Sequence, residues 1–462
     1  MVAELTPRAP VLRARVAAAS ARVGPMELVA ALGVVLAALA GTIGADARWL
    51  SALGEIIVRR GSIPDGIPWA SASSRGWHNV PVLAELIFRG LTSVAGSRGL
   101  LAAQIVAVGS AFAILAWDAR RSGAGELEGS LALLIAAIGS LPVLLVVRSQ
   151  LFSVLLFPVL IALLRTEARA PTRRIWLLVP LVALWSNLHG AVLVGLAVAA
   201  AYLIFDRGRS QPLVAGAVLT AAAVAVCATP ALVHTPEYYY GLLRNEAARH
   251  GEGLWAPLSL TSGFDLLLIA TAVVLLALAL RARPSLWELV AMAGLALLTV
   301  KTARSGAWLL FVAAAPAARS LRFDPSRDDR RGSVFVLAVA AVLALFGVLR
   351  GPLPSGAGKS LLADALRRAG GTPILAEAIP AEQVAAARGH VWMSNPIDAF
   401  SSHDQRVYLD WLAGRPSGDP ALRHAQVVLV MRGDAPAKRL RHSSEFRQAA
   451  RDANSAVFVR RR

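Results

Sequence analysis

One acidic residue, Asp46, directly follows the first long apolar block of the chain, residues 26–45. A carboxylate at the end of a membrane span lies at the lipid–water boundary, where it can accept a proton from the hydroxyl group of a bound acceptor. The same residue could equally be no more than a solvated helix end. Asp46 is therefore a candidate general base, and its role depends on which other polar groups lie near it.

Polar residues that could bind a sugar or a phosphate follow in two further stretches. His78 and Asn79, with Glu85 shortly after them, come before a predicted helix, and they either cap that helix or bind sugar hydroxyls. Arg148 and Gln150 separate two apolar blocks. The arginine either extends its long side chain to the membrane surface or binds a lipid phosphate.

A polar interruption, Trp185-Ser-Asn187-Leu-His189-Gly190, lies within a long apolar stretch. Polar groups near membrane depth pair within the helical bundle or line a water-filled cavity, so Asn187 and His189 mark either a helix break or a site. His189 has no second ligand three or four residues away, which argues against zinc there. Lys301 and Arg304 lie between two later apolar blocks and complete the set of candidate binding residues.

These residues belong to a strongly apolar chain. Of its 462 residues, 56% are hydrophobic and 16% are charged, and the mean hydropathy is +0.58, whereas globular domains are about 25% charged. The formal net charge of +18 comes mainly from arginines in short loops between apolar blocks, as in membrane proteins, so we predict no nucleic-acid partner. The lone Cys227 excludes disulfides and thiolate metal clusters within the chain. We predict a multi-pass protein of the plasma membrane.

The arginines also predict the orientation of the chain. Alternate loops between the apolar blocks are rich in arginine, which places residues 1–25 in the cytoplasm as a tail and residues 350–462 outside as a soluble domain. The predicted fold is an all-α polytopic bundle of about eleven transmembrane helices over residues 26–349, followed by a small C-terminal α/β extracytoplasmic domain. The blocks are residues 26–45, 98–117, 130–147, 150–164, 175–187, 190–205, 212–229, 264–280, 286–300, 306–318 and 333–349.

A long outer loop, residues 46–97, is too polar to cross the membrane. Within it, the apolar residues of 49–59 and of 82–94 recur at helical spacing, which predicts two helices lying in the membrane interface. In residues 350–462, short apolar runs alternate with helical stretches, the pattern from which we predict an α/β domain.

The predicted topology brings one acid and several cations to the outer side of the membrane. Transfer of a sugar from a lipid phosphate needs this combination: the acid removes a proton from the attacking hydroxyl, and the cations stabilise charge on the departing phosphate. The residues that share this side are Asp46, His78, Glu85, Arg148, His189, Lys301 and Arg304.

Several of these stretches resemble bacterial GT-C-like membrane glycosyltransferases. They are Asp46-Ala-Arg-Trp49, Gly54-Glu55-Ile56-Ile57, Gly61-Ser-Ile63-Pro64, Gly76-Trp77-His-Asn79, Leu83-Ala-Glu85, Arg148-Ser-Gln150-Leu-Phe152-Ser153, Trp185-Ser-Asn187-Leu-His189-Gly190 and the tail Ala456-Val-Phe458-Val459. The resemblance implies a helical bundle with interfacial helices in its first outer loop, a polyprenyl-phosphate-linked sugar donor and inversion at the anomeric carbon. It also implies that Asp46 is the catalytic acid of the family.

The chain departs from this family at two places. Arg48 stands where relatives often have a second Trp, and Val80-Pro81-Val82 stands where they often have His-Glu-Trp, so specificity or activity differs if those groups bind substrate.

A transporter or lipid flippase, and an inactive scaffold, are the alternative functions. The acceptor is a glycan, a lipid or a protein. No cofactor is predicted, although a divalent ion shared by Asp46 and Glu85 remains an alternative.

Overall fold

The computed structural model describes residues 24–323 and 334–461. The predicted cytoplasmic tail therefore lies outside the described residues, except for its last two. The described chain is mostly helical with few strands, as predicted. Each apolar block of the sequence coincides with a helix or with a pair of consecutive helices.

The helices before the C-terminal domain vary in length. They are α1 (Pro25–Ala40), α2 (Ala47–Arg60), α3 (Val82–Ala95), α4 (Ser97–Arg121), α5 (Glu126–Gly139), α6 (Leu141–Leu145), α7 (Gln150–Arg169), α8 (Leu178–Ser186), α9 (Val192–Tyr202, continued by a π-helical turn Leu203–Arg207), α10 (Pro212–Ala225), α11 (Thr235–Arg244), α12 (Glu246–His250), α13 (Gly263–Arg281), α14 (Leu286–Lys301), α15 (Gly306–Ser320) and α16 (Val334–Arg350).

Three helices within the described residues are both long enough and apolar enough to cross a membrane, namely α4, α7 and α13. The helices α1, α10 and α16 are apolar but shorter. These helices agree with a protein associated with a membrane. The predicted number of eleven spans is not confirmed, because the other helices do not combine the length and the apolar character of a span.

Local signals in the sequence explain several helix ends. The Ser262 hydroxyl accepts a hydrogen bond from the amide of Asp265 at the start of α13, and Ser285 forms a capping box with Glu288 at the start of α14. At the other end of a helix, Gly61 adopts a left-handed conformation (φ 68°) and its amide donates to the Ile57 carbonyl, which ends α2.

The two helices of the outer loop, α2 and α3, pack against each other. The hydroxyls of Ser51 and Thr92 are 2.5 Å apart, and Arg89 donates to Glu55 over 3.2 Å. Gly54 permits the close approach, since a Cβ atom at this position would lie 2.2 Å from the Glu85 carbonyl oxygen. The loop is therefore a packed unit.

The C-terminal region is built on a four-stranded sheet with helices against it. The strands are β3 (Ile374–Ala376), β4 (Val427–Met431), β5 (Phe446–Arg451) and β6 (Ser455–Arg460), and the order across the sheet is β3-β4-β6-β5. The first pair is parallel and the other two pairs are antiparallel. Its helices are α17 (Lys359–Ala369), α18 (Ala378–Ala386), α19 (Ser402–Leu412) and α20 (Ala435–Arg441). A separate pair of short parallel strands, β1 (Thr42–Ile43) and β2 (Val146–Val147), precedes Asp46 and Arg148 in the chain.

Backbone hydrogen bonds join the outer loop to the C-terminal domain. The Val391 amide donates to the Trp69 carbonyl over 3.0 Å, and the amides of Ser71 and Ala72 donate to the carbonyls of Val391 and Trp392, each over 2.9 Å. Residues 69–72 of this loop and residues 391–392 of the C-terminal region are therefore in direct contact.

Candidate functional site

A cavity of about 240 Å³ lies between the outer loop, the helical bundle and the C-terminal domain. Four of the residues predicted from the sequence line it: Asp46, Gln150, His189 and Arg304. Three of them lie in connections between helices and Gln150 is the first residue of α7, so the bundle itself brings them together. We refer to this space as the Asp46 cavity.

Asp46 is held at the start of α2 in an unusual backbone conformation. Its φ of 86° is one that residues other than glycine rarely adopt, and such a conformation costs about 1–3 kcal/mol, so it persists only where surrounding contacts hold it. The Asp46 amide donates to Oε1 of Glu382 over 2.7 Å, and its Oδ1 accepts from the indole nitrogen of Trp49 over 3.3 Å. These two hydrogen bonds fix the backbone of Asp46 and the position of its carboxylate.

Glu382 is the partner of Asp46 in the C-terminal domain. It is fully buried, and its Oε1 also accepts a hydrogen bond of 2.9 Å from the Asn395 side chain. Burial and the nearby charge of Asp46 raise the pKa of Glu382, the two hydrogen bonds and Arg48 oppose the shift, and the net result is a pKa of about 8. The shift favours the neutral form of Glu382, whose Oε1 accepts both hydrogen bonds.

Arg304 supplies a cation to the Asp46 cavity. Its guanidinium lies 4.1 Å from the ring centre of Trp255, which holds the side chain by a cation–π contact. Desolvation lowers the pKa of Arg304 to about 10; Asp46 opposes the shift and Arg148 adds to it. The side chain stays charged at neutral pH and lies close enough to Asp46 for their charges to interact.

Arg148 lies beside the cavity and is not one of its lining residues. Its charge acts on Arg304, and its Nε is buried without a hydrogen-bond partner among the described residues. A Cβ atom at position 44 would lie 2.7 Å from this Nε, so Gly44 makes the room that the guanidinium occupies. Two like charges held near each other favour an anion between or beside them.

His189 presents a fixed hydrogen-bond donor to the cavity. The Trp185 indole donates to the Ser153 hydroxyl over 2.7 Å, and this hydroxyl lies 2.7 Å from His189 Nδ1. The Ala191 amide also donates to Nδ1, over 3.3 Å, so Nδ1 carries the lone pair and the proton is on Nε2. Desolvation lowers the pKa of His189 to about 3, with the charge of Arg304 adding to the effect. The imidazole is neutral at physiological pH.

The C-terminal domain contributes residues that the sequence did not indicate. Asn395 and Asp398 line the Asp46 cavity, together with Tyr238 and Trp255. Asp398 accepts a 3.0 Å hydrogen bond from the Trp77 indole, and burial raises its pKa. Single polar residues are common in soluble domains, so the sequence gives no reason to select Asn395 and Asp398. Their position at the Asp46 cavity is what makes them candidates.

Besides Arg148, five predicted residues do not line the Asp46 cavity. Asn79 donates to Glu85 over 2.9 Å in a buried pair; burial raises the pKa of Glu85 to about 8, and the hydrogen bond from Asn79 opposes the shift. Asn187 donates to two backbone carbonyls, and Lys301 is exposed at the end of α14. The buried pair does not join Asp46, which gives no support to a divalent ion shared by Asp46 and Glu85. The fifth residue is His78.

His78 belongs to a different cluster, with His234 and Glu237. The ligand atoms of these three residues lie within 4.8 Å of one another, and the two imidazole rings stack with their centres 4.2 Å apart. Glu237 Oε2 is 3.7 Å from His78 Nε2 and 3.5 Å from His234 Nδ1. Two histidines and a carboxylate could hold a transition-metal ion. The cluster lies outside the Asp46 cavity, so it adds nothing to the chemistry there.

The Asp46 cavity therefore combines a carboxylate that can accept a proton, a guanidinium, a neutral imidazole donor, amide groups and aromatic side chains. This set can bind a hydroxyl compound together with a phosphate and move one proton. No protein-family model matches the chain, and no curated protein is similar to it in sequence.

Proposed function

We propose that this protein is an integral membrane glycosyltransferase that takes a sugar from a polyprenyl-phosphate donor at the outer face of the plasma membrane, with inversion at the anomeric carbon. The observation that supports this most is that Asp46 and Arg304 line one cavity and that their charges interact. A base and a phosphate-binding cation within one site are what transfer from a lipid phosphate requires.

In the proposed reaction, an acceptor hydroxyl attacks the anomeric carbon of the donor. Its proton passes to the Asp46 carboxylate as the new carbon–oxygen bond forms. The bond from the anomeric carbon to the phosphate oxygen breaks, and the phosphate leaves with the electron pair. Arg304, with Arg148 behind it, stabilises the negative charge on that phosphate. The reaction is a single displacement, which inverts the anomeric centre.

The other residues of the cavity suit the binding of a sugar. Gln150 and Asn395 offer amide groups, and His189 offers its Nε2–H, for hydrogen bonds to hydroxyls. Trp255 and Tyr238 offer apolar ring surface. Asp398, like Asp46, can accept hydrogen bonds from hydroxyls.

The decisive experiment replaces the proposed base. Asp46→Asn keeps the size of the side chain, and Asn tolerates positive φ better than most residues, so the fold is expected to persist. We expect sugar transfer from a radiolabelled polyprenyl-phosphate sugar, measured in membranes, to fall about 10²–10⁴-fold, the usual contribution of a general base. Asp65→Asn is the matched control, because Asp65 is an exposed carboxylate of the same outer loop. Equal turnover in Asp46→Asn and wild type would discard the proposed enzyme and favour an inactive scaffold.

The proposed orientation has the N-terminus in the cytoplasm and the C-terminal domain outside. The arginine-rich alternate loops support it, and so do the hydrogen bonds that keep the outer loop and the C-terminal domain on one side. In a Cys227→Ala background, a membrane-impermeant maleimide should label Ser444→Cys in intact cells. It should label Ala170→Cys only after the cells are opened. The reverse pattern would invert the topology.

Transport is the second candidate function, and buried charges between the helices are the observation that favours it. Arg165 in α7 is buried and contacts Asp118 over 2.5 Å and Glu288 over 3.0 Å. Charges within membrane helices often mark a transport pathway. Movement of a labelled lipid-linked sugar across reconstituted vesicles, without covalent transfer of the sugar, would support this function over the first.

A further inference from the structure

A second, larger cavity of about 570 Å³ lies between the outer loop, the start of α4 and the end of α18. Its lining is strongly cationic, with five arginines against one glutamate. We refer to it as the basic cavity. The charged lining residues are Arg48, Arg59, Arg60, Arg89, Arg388 and Glu55.

The one carboxylate that lines the basic cavity, Glu55, carries too little negative charge to balance its five arginines. Glu55 is shared between Arg89, at 3.2 Å, and Arg388, at 3.9 Å. Arg59 and Arg60 form no ion pair with the residues that the structure describes. A cavity in which guanidinium groups outnumber their partners attracts an anion from outside the chain.

Arg48 also has fewer hydrogen-bond partners than its guanidinium has donors, and part of that guanidinium is buried. Its Nη2 donates a long hydrogen bond of 3.4 Å to Ser355, and its buried Nη1 has no hydrogen-bond partner among the described residues. Burial lowers the pKa of Arg48, although Glu382 opposes the shift. An unpaired buried donor costs free energy that an anionic ligand would recover. Guanidinium groups fit phosphate oxygens especially well, because they donate two parallel hydrogen bonds.

The position of the basic cavity relative to the membrane points to a lipid. Ser97 and Leu100 line it, and they belong to the first turn of α4, one of the helices long and apolar enough to cross a membrane. The end of such a helix lies at the level of the lipid head groups. Next to the lining, Val94 is 87% exposed and Val58 is 48% exposed, so apolar surface borders the cationic surface. A ligand with a phosphate and acyl chains would satisfy both surfaces.

The basic cavity is separate from the Asp46 cavity, although both border α2. Successive residues of a helix are rotated by about 100°. Trp49 and Leu50 therefore face the Asp46 cavity, whereas Ser51 and Glu55 face the basic cavity from the other side of the helix.

We propose that the basic cavity binds the phosphate head group of an anionic membrane phospholipid. Bound there, the lipid would offset part of the positive charge of the arginines and hold the outer loop against the membrane surface. This inference does not depend on the proposed glycosyl transfer, because it concerns a different cavity.

The test measures the binding of short-chain phosphatidylglycerol to the full-length protein in detergent, by isothermal titration calorimetry. We compare Arg59→Ala/Arg388→Ala with Arg367→Ala/Arg451→Ala. All four arginines are exposed, so both double variants are expected to fold, and both remove the same charge. The first pair lines the basic cavity and the second does not.

We expect the first double variant to bind phosphatidylglycerol about tenfold more weakly than wild type, and the control within about twofold of it. Short-chain phosphatidylcholine, whose head group has no net charge, should bind more weakly than phosphatidylglycerol. The proposal is overturned if the two double variants lose affinity equally, because the effect would then be general electrostatics. It is also overturned if phosphatidylcholine binds as tightly as phosphatidylglycerol, or if inorganic phosphate binds as tightly as the lipid.

Discussion

The backbone amide of Asp46 donates a hydrogen bond of 2.7 Å to the side chain of Glu382, although the two residues are 336 positions apart in the chain. The contact fixes the start of α2 to the C-terminal domain at the residue that we propose as the base. The C-terminal domain thus forms part of the candidate site, and its side chains control the position of the proposed base.

The first prediction concerns the neutral state of Glu382. Glu382→Gln keeps an acceptor for the Asp46 amide, so we expect near wild-type stability at neutral pH. Glu382→Ala leaves two partly buried donors without this partner and should lower the free energy of unfolding by about 1–3 kcal/mol. Thermal unfolding in one detergent measures both. A Gln variant as unstable as the Ala variant would contradict the prediction.

The raised pKa of Glu382 also predicts how the stability of the protein depends on pH. The pKa of Glu382 rises from 4.5 to about 8 on folding. Its contribution to stability is therefore fully present below pH 4.5 and is lost as the pH rises through about 8. We expect the melting temperature of Glu382→Gln to fall less than that of wild type between these values. Glu445→Gln, a change at an exposed carboxylate, should follow wild type.

The second prediction concerns the cation at Arg304. Arg304→Ala should lower kcat about 10²–10³-fold, because an electrostatic contact to the departing phosphate is removed. Arg304→Lys should recover part of the loss, since it keeps the charge but not the paired hydrogen bonds. Arg244→Ala is the control: Arg244 also stacks on an aromatic ring, that of Tyr240, but does not line the Asp46 cavity. Similar losses in Arg304→Ala and Arg244→Ala would argue against a role at the phosphate.

The third prediction concerns the tautomer of His189. Nitrogen-15 NMR of the labelled protein should show a neutral imidazole protonated at Nε2 from pH 5 to pH 8, because its pKa is lowered to about 3. Ser153→Ala removes one donor to Nδ1 and should shift the tautomer balance and reduce the affinity for the donor sugar. Ser186→Ala removes a hydroxyl that contacts only a backbone carbonyl and should change neither. Protonation of His189 near pH 6 would refute this prediction.

The fourth prediction concerns the buried charges between the helices. Arg165 donates to Asp118, to Glu288 and to the Val312 carbonyl. Arg165→Met removes the cation that contacts buried Asp118 and leaves Glu288 with Arg319 at 3.7 Å, so it should lower the free energy of unfolding by about 3–5 kcal/mol. Replacing the carboxylates as well, in Asp118→Asn/Arg165→Met/Glu288→Gln, should restore much of this loss. Arg169→Met, an exposed change in the same helix, should cost little. Equal melting temperatures of all three variants would refute the prediction.

The sequence located most of the helices, whereas the number of spans predicted from it is not confirmed. Apolar blocks and helical spacing are local properties, so α2 and α3 of the outer loop, and the helices of the bundle, could be located from the chain alone. The count of eleven spans used block length and charge. The structure divides several blocks into shorter helices, such as α5 and α6 within residues 130–147. Among the helices of residues 24–323 and 334–461, only α4, α7 and α13 combine the length and the apolar character of a span.

For the site, the sequence alone identified Asp46, Gln150, His189 and Arg304, because polar residues at the ends of apolar blocks are conspicuous. Only the tertiary structure decided which of the candidates meet. Asn79 and Glu85 pair with each other in the protein interior, His78 joins two residues of a later loop, and the C-terminal domain supplies Glu382 to hold Asp46. The physical reason is that periodicity and composition show only which face each segment buries. Which side chains meet in one cavity depends on contacts between segments that are hundreds of residues apart in the chain.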